Sequence, residues 1–355
     1  MRGNRGNNDS CKASIVILSY RFRLHPRARK IASILRQLGY CVYVWESREP
    51  FQRGHRALRA IINYLFSMLD VARIKTDLYW VENVPDIVYL PLAILNKRYV
   101  YDRRSPWALH VAEEFPWFRR FIHVLYAIER FMIKRACRVI AVASTPMRLE
   151  FPYNEFGKEV VVIPNYPEKS FRCTRDNDLR ERLGATKDTK VFLFIGRLSK
   201  VEGIDLLVRV AIALKDTGAL LWIAGDGPWR KIVEQLTIKY DHVRWLGWVP
   251  RSRLGSIIGS ADYGLALFRR SSSSIFYTEE SVTKLGEYIR CGLPVIASGI
   301  PKSKYYLSVE PDRLPYIVRE VALGRLEVPR PPSLPLWENI GARKVLHVIS
   351  VCLGS

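Results

Sequence analysis

The chain has 355 residues, 48% of them hydrophobic and 25% charged, a globular composition long enough for two domains with a core each. Its formal net charge is +22 and both halves are basic, which favours anionic partners: nucleotide phosphates, nucleic acid or anionic lipid headgroups. No apolar run approaches ~18 residues, which argues against a transmembrane helix.

The first dozen residues, "MRGNRGNNDSCK", are polar and lack the apolar core of a signal peptide. The six cysteines show no C-x-x-C and no metal-ligand spacing, and several sit in apolar contexts, so buried free thiols in a reducing compartment are expected. The expected location is cytoplasmic, on the inner face of the cell membrane if the protein meets a membrane at all.

From residue 14 the pattern alternates strand and helix. "SIVILS" is a strand-length apolar run, and Ile31, Ile34, Leu35 and Leu38 then recur at helical spacing up to Gly39. "CVYVWE", a helix near 55–70, "DLYWVE", a helix near 85–96 and "RYVYD" follow. A long aromatic helix is predicted near 117–136, then the strands "RVIAVA" and "VVVIP". After a linker near 164–172 the grammar restarts. Its strands are "VFLFIG", "LLWIAG", "VRWLG", "YGLALF" and "PVIAS", with helices near 204–216, 228–240, 251–260 and 282–291. Strands alternating with helices imply parallel sheets covered on both faces. The expected fold is therefore α/β, two Rossmann-like doubly wound domains, at 1–168 and 169–336. The proline-rich stretch 328–336 leads to a terminal helix, 337–355, expected to pack back on the first domain.

Ligands of open parallel sheets bind beyond the carboxyl ends of the strands. Three such ends carry candidates. Gly196 and Arg197 end one strand, and Arg197 is either a bidentate phosphate ligand or a surface arginine. Gly225 and Gly227 end the next, with Pro228 read as the first residue of a helix. The paired glycines either let the backbone approach a base or sugar or make a tidy connection. At the third end Ser281 is read as an N-cap, with Val282, Thr283 and Lys284 in a first turn whose amides suit a phosphate. Glu287, one turn on, either accepts a ribose diol or is a helical glutamate paired with Lys284 or Arg290. The D-x-D of Asp176 and Asp178 opens a helix and reads as capping.

Gly196–Arg197, Gly-x-Gly-Pro, and the pair Glu279 and Glu287 spaced as E-x7-E occur in this order. With "VIPN" at 162–165, "EESVTKLGEYIRCGLPVIAS" at 279–298 and the opening "HPRARKIASILRQLGYCVYV", the chain resembles the retaining GT-B glycosyltransferases of family 4 over nearly its whole length. The resemblance implies two domains facing across a cleft. It implies a hexose transferred with retention from a UDP- or GDP-sugar to a glycan or lipid-linked acceptor, with no metal and no cofactor. It gives Arg197 the donor diphosphate, Glu279 the hydroxyls of the transferred sugar and Glu287 the ribose. Gly225, Gly227 and the Gly247–Val249 turn would lie against the nucleotide, and the amides of Val282 and Thr283 would hold the distal phosphate. Two positions depart from the family pattern. Glu202 stands where many members have a lysine, for which Lys200 is the candidate substitute. Arg104 stands where they have a histidine. These departures keep open a second reading, a catalytically silent subunit that binds nucleotide sugar or scaffolds a partner.

Residues 113–138 interleave Trp117, Phe118, Phe121, Tyr126 and Phe131 with arginine and lysine. This suits peripheral contact with an anionic membrane, or else a buried helix with a basic outer face. Nucleic acid is not an expected partner, because no RNP, KH or helix-turn-helix signature accompanies the charge.

Overall fold

The computed structural model describes residues 11–20, 26–47, 50–51, 56–144, 157 and 159–354. The first ten residues and the basic stretch 21–25 lie outside the described residues. The chain divides into two compact units, one of residues 1–164 with 339–355 and the other of 165–338. The division falls within the linker read near 164–172, four residues before the expected boundary at 168/169. The backbone and side-chain amides of Asn165 bond Glu280 O (2.6 Å) and Ser281 O (2.9 Å), while Trp337 N bonds Pro167 O at 3.0 Å. These bonds tie 165–168 to the second unit.

The first unit runs β1 (Ser14–Ser19), α1 (Pro26–Gln37), β2 (Cys41–Glu46), α2 (Arg56–Arg73), β3 (Leu78–Glu82) and a 3₁₀ turn (Asp86–Tyr89). Then come α3 (Leu90–Ile94), β4 (Tyr99–Arg103), α4 (Trp107–Glu114), a 3₁₀ segment (Pro116–Phe121), α5 (Ile122–Arg135), β5 (Arg138–Ala141) and β6 (Val160–Val162). All pairings are parallel, in the order β2-β1-β3-β4-β5-β6. On one face Val16, Leu18, Tyr79, Val81, Tyr99, Tyr101 and Val139 pack under α2, α3 and α5. The helix predicted near 117–136 is interrupted: its first turn is 3₁₀, entered through Pro116, and α4 precedes it.

The second unit runs α6 (Asn177–Arg182), β7 (Val191–Ile195), α7 (Ile204–Ala213), β8 (Leu220–Ala224), α8 (Arg230–Lys239), β9 (Val243–Trp245) and α9 (Arg251–Gly259). β10 (Tyr263–Leu267), α10 (Thr283–Arg290), β11 (Val295–Ser298), β12 (Leu307–Val309) and α11 (Leu314–Ala322) complete it. Its sheet is also parallel, ordered β12-β11-β10-β7-β8-β9. The order reverses between β7 and β10, the place where a doubly wound sheet opens a crevice for a ligand. In the first sheet the reversal falls between β1 and β3. Asp176 caps α6 by accepting from Leu179 N at 2.8 Å, so its carboxylate is committed to the helix start.

The expectation of free thiols is overturned. Cys11–Cys41, Cys137–Cys352 and Cys173–Cys291 are disulfides with Cα–Cα separations of 5.4–5.6 Å, and no free cysteine remains. The inference of a reducing compartment falls with it. The partners are 30, 215 and 118 residues apart, so no local motif announces them. Cys137–Cys352 joins the start of β5 to the terminal helix Trp337–Leu353 within the first unit.

Candidate functional site

The carboxyl ends of β7, β8, β9 and β10 carry nearly all the candidates. Gly196 and Arg197 follow β7. Arg197 is exposed and, among the described residues, its guanidinium has no carboxylate partner. Gly225 and Gly227 follow β8, and their purpose is plain from the backbone. A Cβ on Gly225 would lie 1.8 Å from Gly196 O, and one on Gly227 would lie 2.6 Å from Leu198 O. Gly225 also has φ 146°, a conformation side chains avoid. The two loops are laced together by Gly196 N→Ala224 O (3.0 Å), Leu198 N→Asp226 O (3.0 Å) and Trp229 N→Leu198 O (3.1 Å). These glycines let one loop sit on the other, which positions Arg197. Pro228 stands before α8, not at its first residue: the N-cap is Trp229. Beyond β9, Val249 is half-buried in the core and Trp248 is 72% exposed.

The start of α10 differs from the sequence reading by one residue. Val282, not Ser281, is the N-cap, and no side chain caps it. Ser281 Oγ instead donates to Phe276 O (2.7 Å) and accepts from Thr278 N (2.9 Å), closing the preceding turn. Val282 N already bonds Thr278 O at 2.9 Å, so it is not open to a phosphate. The amides of Thr283 and Lys284 have no acceptor among the described residues, and they are the open donors of this helix start.

Lys284 does not reach outward from that turn. It is 7% exposed and its Nζ forms an ion pair with Glu202, 4.8 Å from the Phe194 ring centroid and 4.7 Å from that of Phe268. A Cβ on Gly196 would stand 2.9 Å from both Lys284 Nζ and Glu202 Oε2. The pair therefore lies between the ends of β7 and β10, at the reversal of strand order. Glu202 was singled out in the sequence as a departure, but its partner was not foreseen. Lys200, the candidate substitute cation, points elsewhere: its Nζ lies 5.5 Å from the Trp229 ring, beside a depression of about 210 Å³ shared with Asp205 and Arg269.

Glu287 is 3% exposed, so it is no solvated helical glutamate, and neither Lys284 nor Arg290 is its hydrogen-bond partner. Arg251 Nη1 of α9 donates to Glu287 Oε1 at 2.5 Å. The same guanidinium stands 3.7 Å from Glu168 Oε2 and 5.4 Å from the Phe171 ring, and it lines a cavity of about 250 Å³ with Glu168, Phe171 and Gly255. Sequence reasoning missed Arg251; the signal was its place just after the Gly247–Val249 turn. Glu279 is half-buried. Burial, with a further push from the Glu279 charge, raises the Tyr306 phenol well above its ordinary value.

The first unit has its own buried charges at its strand ends. Glu82, at the end of β3, is fully buried; among the described residues its ion-pair partner is Arg104 Nη1 at 3.4 Å, and neither oxygen makes a hydrogen bond of good geometry. Arg104 is held in turn by Nη2→Asn83 O (2.9 Å) and by its backbone N on Asn83 Oδ1 (2.8 Å). Beneath them Arg27 forks onto Asp102 (Nε→Oδ2 2.8 Å, Nη2→Oδ1 3.0 Å), with Trp80 Nε1 on Oδ2 at 3.1 Å. Desolvation by burial raises the Glu82 carboxyl, only partly offset by the Arg104 charge. A raised native value means that the unfolded chain ionises first. The native state therefore loses stability as pH climbs from the ordinary carboxylate range through the raised value. Glu82→Gln removes that loss, so the thermal midpoint of the variant is expected to gain on the parent as pH rises from acid to neutral. A constant difference across that range would refute the assignment.

Residues 189–314 match the family model described as "Glycosyl transferases group 1". Of curated proteins, an uncharacterized glycosyltransferase of Methanocaldococcus jannaschii is 28% identical over 159 residues, 39% of this chain and 38% of that relative. The chain thus matches less than half the length of that relative. Of solved structures, WaaG, a glycosyltransferase involved in lipopolysaccharide biosynthesis, superposes with a TM-score of 0.65 at 17% identity, covering 95% of this chain and 97% of WaaG. HepE of Anabaena, solved in complex with UDP and glucose, gives a TM-score of 0.62 at 15% identity, covering 95% of this chain and 99% of HepE. The two six-stranded parallel sheets are thus those of the GT-B fold.

Proposed function

We propose that this chain, whose residues 189–314 form a group 1 glycosyl transferase domain, moves a hexose from a UDP- or GDP-sugar to a glycan or lipid-linked acceptor with retention of configuration. One observation carries the reading. At the reversal of strand order in the second sheet, two open amides begin α10, and the buried Lys284 of the same turn meets Glu202 beside Gly196. Arg197 follows in the chain without a carboxylate partner among the described residues, and the buried Glu287 lies one helical turn on.

When the nucleoside diphosphate leaves, charge builds on the bridging oxygen. The Thr283 and Lys284 amides, the Arg197 guanidinium and the Lys284 ammonium stabilise that charge more in the transition state than in the bound donor. Glu287 accepts the ribose hydroxyls, and Glu279 those of the transferred sugar. The acceptor hydroxyl attacks from the leaving-group face, and the diphosphate takes its proton. The reading needs no enzymic nucleophile, resident metal or cofactor, because protein cations and amides supply the positive charge. Arg104, anchored on Glu82, belongs to the acceptor side.

The second reading, a silent subunit, is favoured by one observation: the cation nearest the strand ends, Lys284, is already paired with Glu202. Thermal shift with UDP, GDP, ADP and TDP, followed by turnover with the matching sugar, separates the two. Selective stabilisation by UDP or GDP with product formation is expected. Selective stabilisation without turnover or hydrolysis means a silent subunit that binds nucleotide sugar, and no stabilisation by any nucleotide overturns the transferase reading and leaves the scaffold.

A further inference from the structure

The outer face of α2 runs against the ordinary logic of a surface helix. Leu58 (59% exposed), Ile61 (56%), Leu65 (54%) and Leu69 (54%) recur at helical spacing and form one stripe, with Phe66 (47%) at its margin. Turned inward are Asn63 (3%) and Ser67 (1%), beside Val71 and Ile74. The helix cannot roll to bury its larger apolar side chains. Asn63 Nδ2 donates to Phe51 O at 3.0 Å and its Oδ1 accepts from Phe51 N at 3.2 Å, which locks Asn63 inward.

The stripe is part of a wider surface. α2, α3 and α5 cover the same face of the first sheet, so their outer sides form one layer. At the end of α3, Ile94 (63%) and Leu95 (51%) are exposed, as are Trp117 (60%) and Phe121 (45%) in the 3₁₀ segment before α5 and Val124 (57%) in its first turn. Soluble monomers seldom leave more than a few hundred Å² of contiguous apolar surface open. Around these side chains the exposed charges are mostly cationic: Arg73, Lys75, Arg98, Arg119, Arg120 and Lys134, against the exposed carboxylate of Asp77 just after α2, which accepts from Ser14 N and Oγ at 2.7 Å. Of the acids of the layer, Glu129 is fully buried and Asp70 half-buried.

We infer that this layer docks on an anionic lipid bilayer, with the α2 stripe set among the acyl chains and the surrounding cations on the headgroup phosphates. Charge decides between occupants. A second copy would bring the same cations face to face with these, whereas a lipid phosphate complements them. No helix among the described residues is long and apolar enough to cross a membrane, so the contact is interfacial. The inference deepens the proposed function by placing the enzyme on the surface that holds a lipid-linked acceptor. It is tested without donor or turnover, so it stands or falls separately.

The test is co-sedimentation of the full chain with vesicles of phosphatidylcholine alone and of equimolar phosphatidylglycerol and phosphatidylcholine. Binding to the anionic vesicles is expected. The triple variant Leu58→Gln, Leu65→Gln and Leu69→Gln, all at exposed positions, is expected to weaken it at least about tenfold, with the circular dichroism spectrum unchanged. Arg119→Gln with Arg120→Gln, also exposed, is expected to reduce the preference for the anionic vesicles. If the triple variant misfolds, Leu65→Gln alone is read the same way. Failure to bind anionic vesicles at low salt would overturn the inference. So would binding indifferent to the stripe, or a dimer in ultracentrifugation that the stripe variant dissociates.

Discussion

Lys284→Met is expected to lower the unfolding free energy by about 3 kcal/mol, the low end of what breaking a buried ion pair costs. The variant strands the Glu202 carboxylate beside Phe194 and Phe268, and the low end applies because the Glu202 side chain is 26% exposed while that of Lys284 is 8% exposed. The double variant Lys284→Met with Glu202→Gln removes both charges, so most of the stability should return. Turnover should not. If Lys284 supplies positive charge to the departing diphosphate, both variants lose about 10²–10³ in kcat, the loss typical of deleting one such group. Denaturant melts and steady-state turnover on the single and double variants decide the matter. A double variant that recovers both stability and turnover would make the pair purely structural.

The exchange of charge is what makes this position informative. The sequence shows a glutamate at 202 where a cation was expected and offers Lys200 in compensation. The structure turns Lys200 onto Trp229 and brings Lys284 in from α10, 82 positions away. No reading of the loop Gly196–Gly203 alone could find that partner. Two positive charges beside Gly196 would repel, and a lysine at 284 facing apolar neighbours alone would carry the full desolvation penalty.

The strand ends themselves were legible, because fully buried parallel strands read as continuous apolar runs and each helix between them has a clear period. The short elements were not. β12 has three half-buried residues at a sheet edge, too few for a pattern. α4 and the 3₁₀ segment after it merge in the sequence into one aromatic stretch that Pro116 divides. Periodicity also does not say which side of a helix faces in. On α2 the apolar period is real but points outward, because Asn63 is held by the Phe51 backbone. The cysteine pairs needed the fold itself.

Glu287→Ala is expected to weaken nucleotide binding about 10²–10³-fold, measured by titration calorimetry with the diphosphate that stabilises best in the thermal panel. A hydrogen bond to a charged acceptor is worth about 1.5–3 kcal/mol, so losing two ribose bonds near the low end of that range removes roughly 3–4 kcal/mol. Arg251 shapes the size of that effect. Its Nη1 holds Oε1 of Glu287 at 2.5 Å, which fixes the orientation of a carboxyl group that is only 3% exposed. Arg251→Ala should therefore weaken the same nucleotide too, by a smaller factor, since the hydroxyl acceptor survives but is no longer held. Were Arg251 instead a plug that a ribose has to displace, its removal would tighten binding, and the sign of that one change tells the two apart. The sharper test is the pair of variants on the nucleoside diphosphate and on inorganic pyrophosphate. Both substitutions act on the pentose end, so the affinity for pyrophosphate, held by the Thr283 and Lys284 amides and Arg197, should hardly move. An equal loss on both ligands would mean that α10 had shifted as a whole, and the ribose assignment would fall.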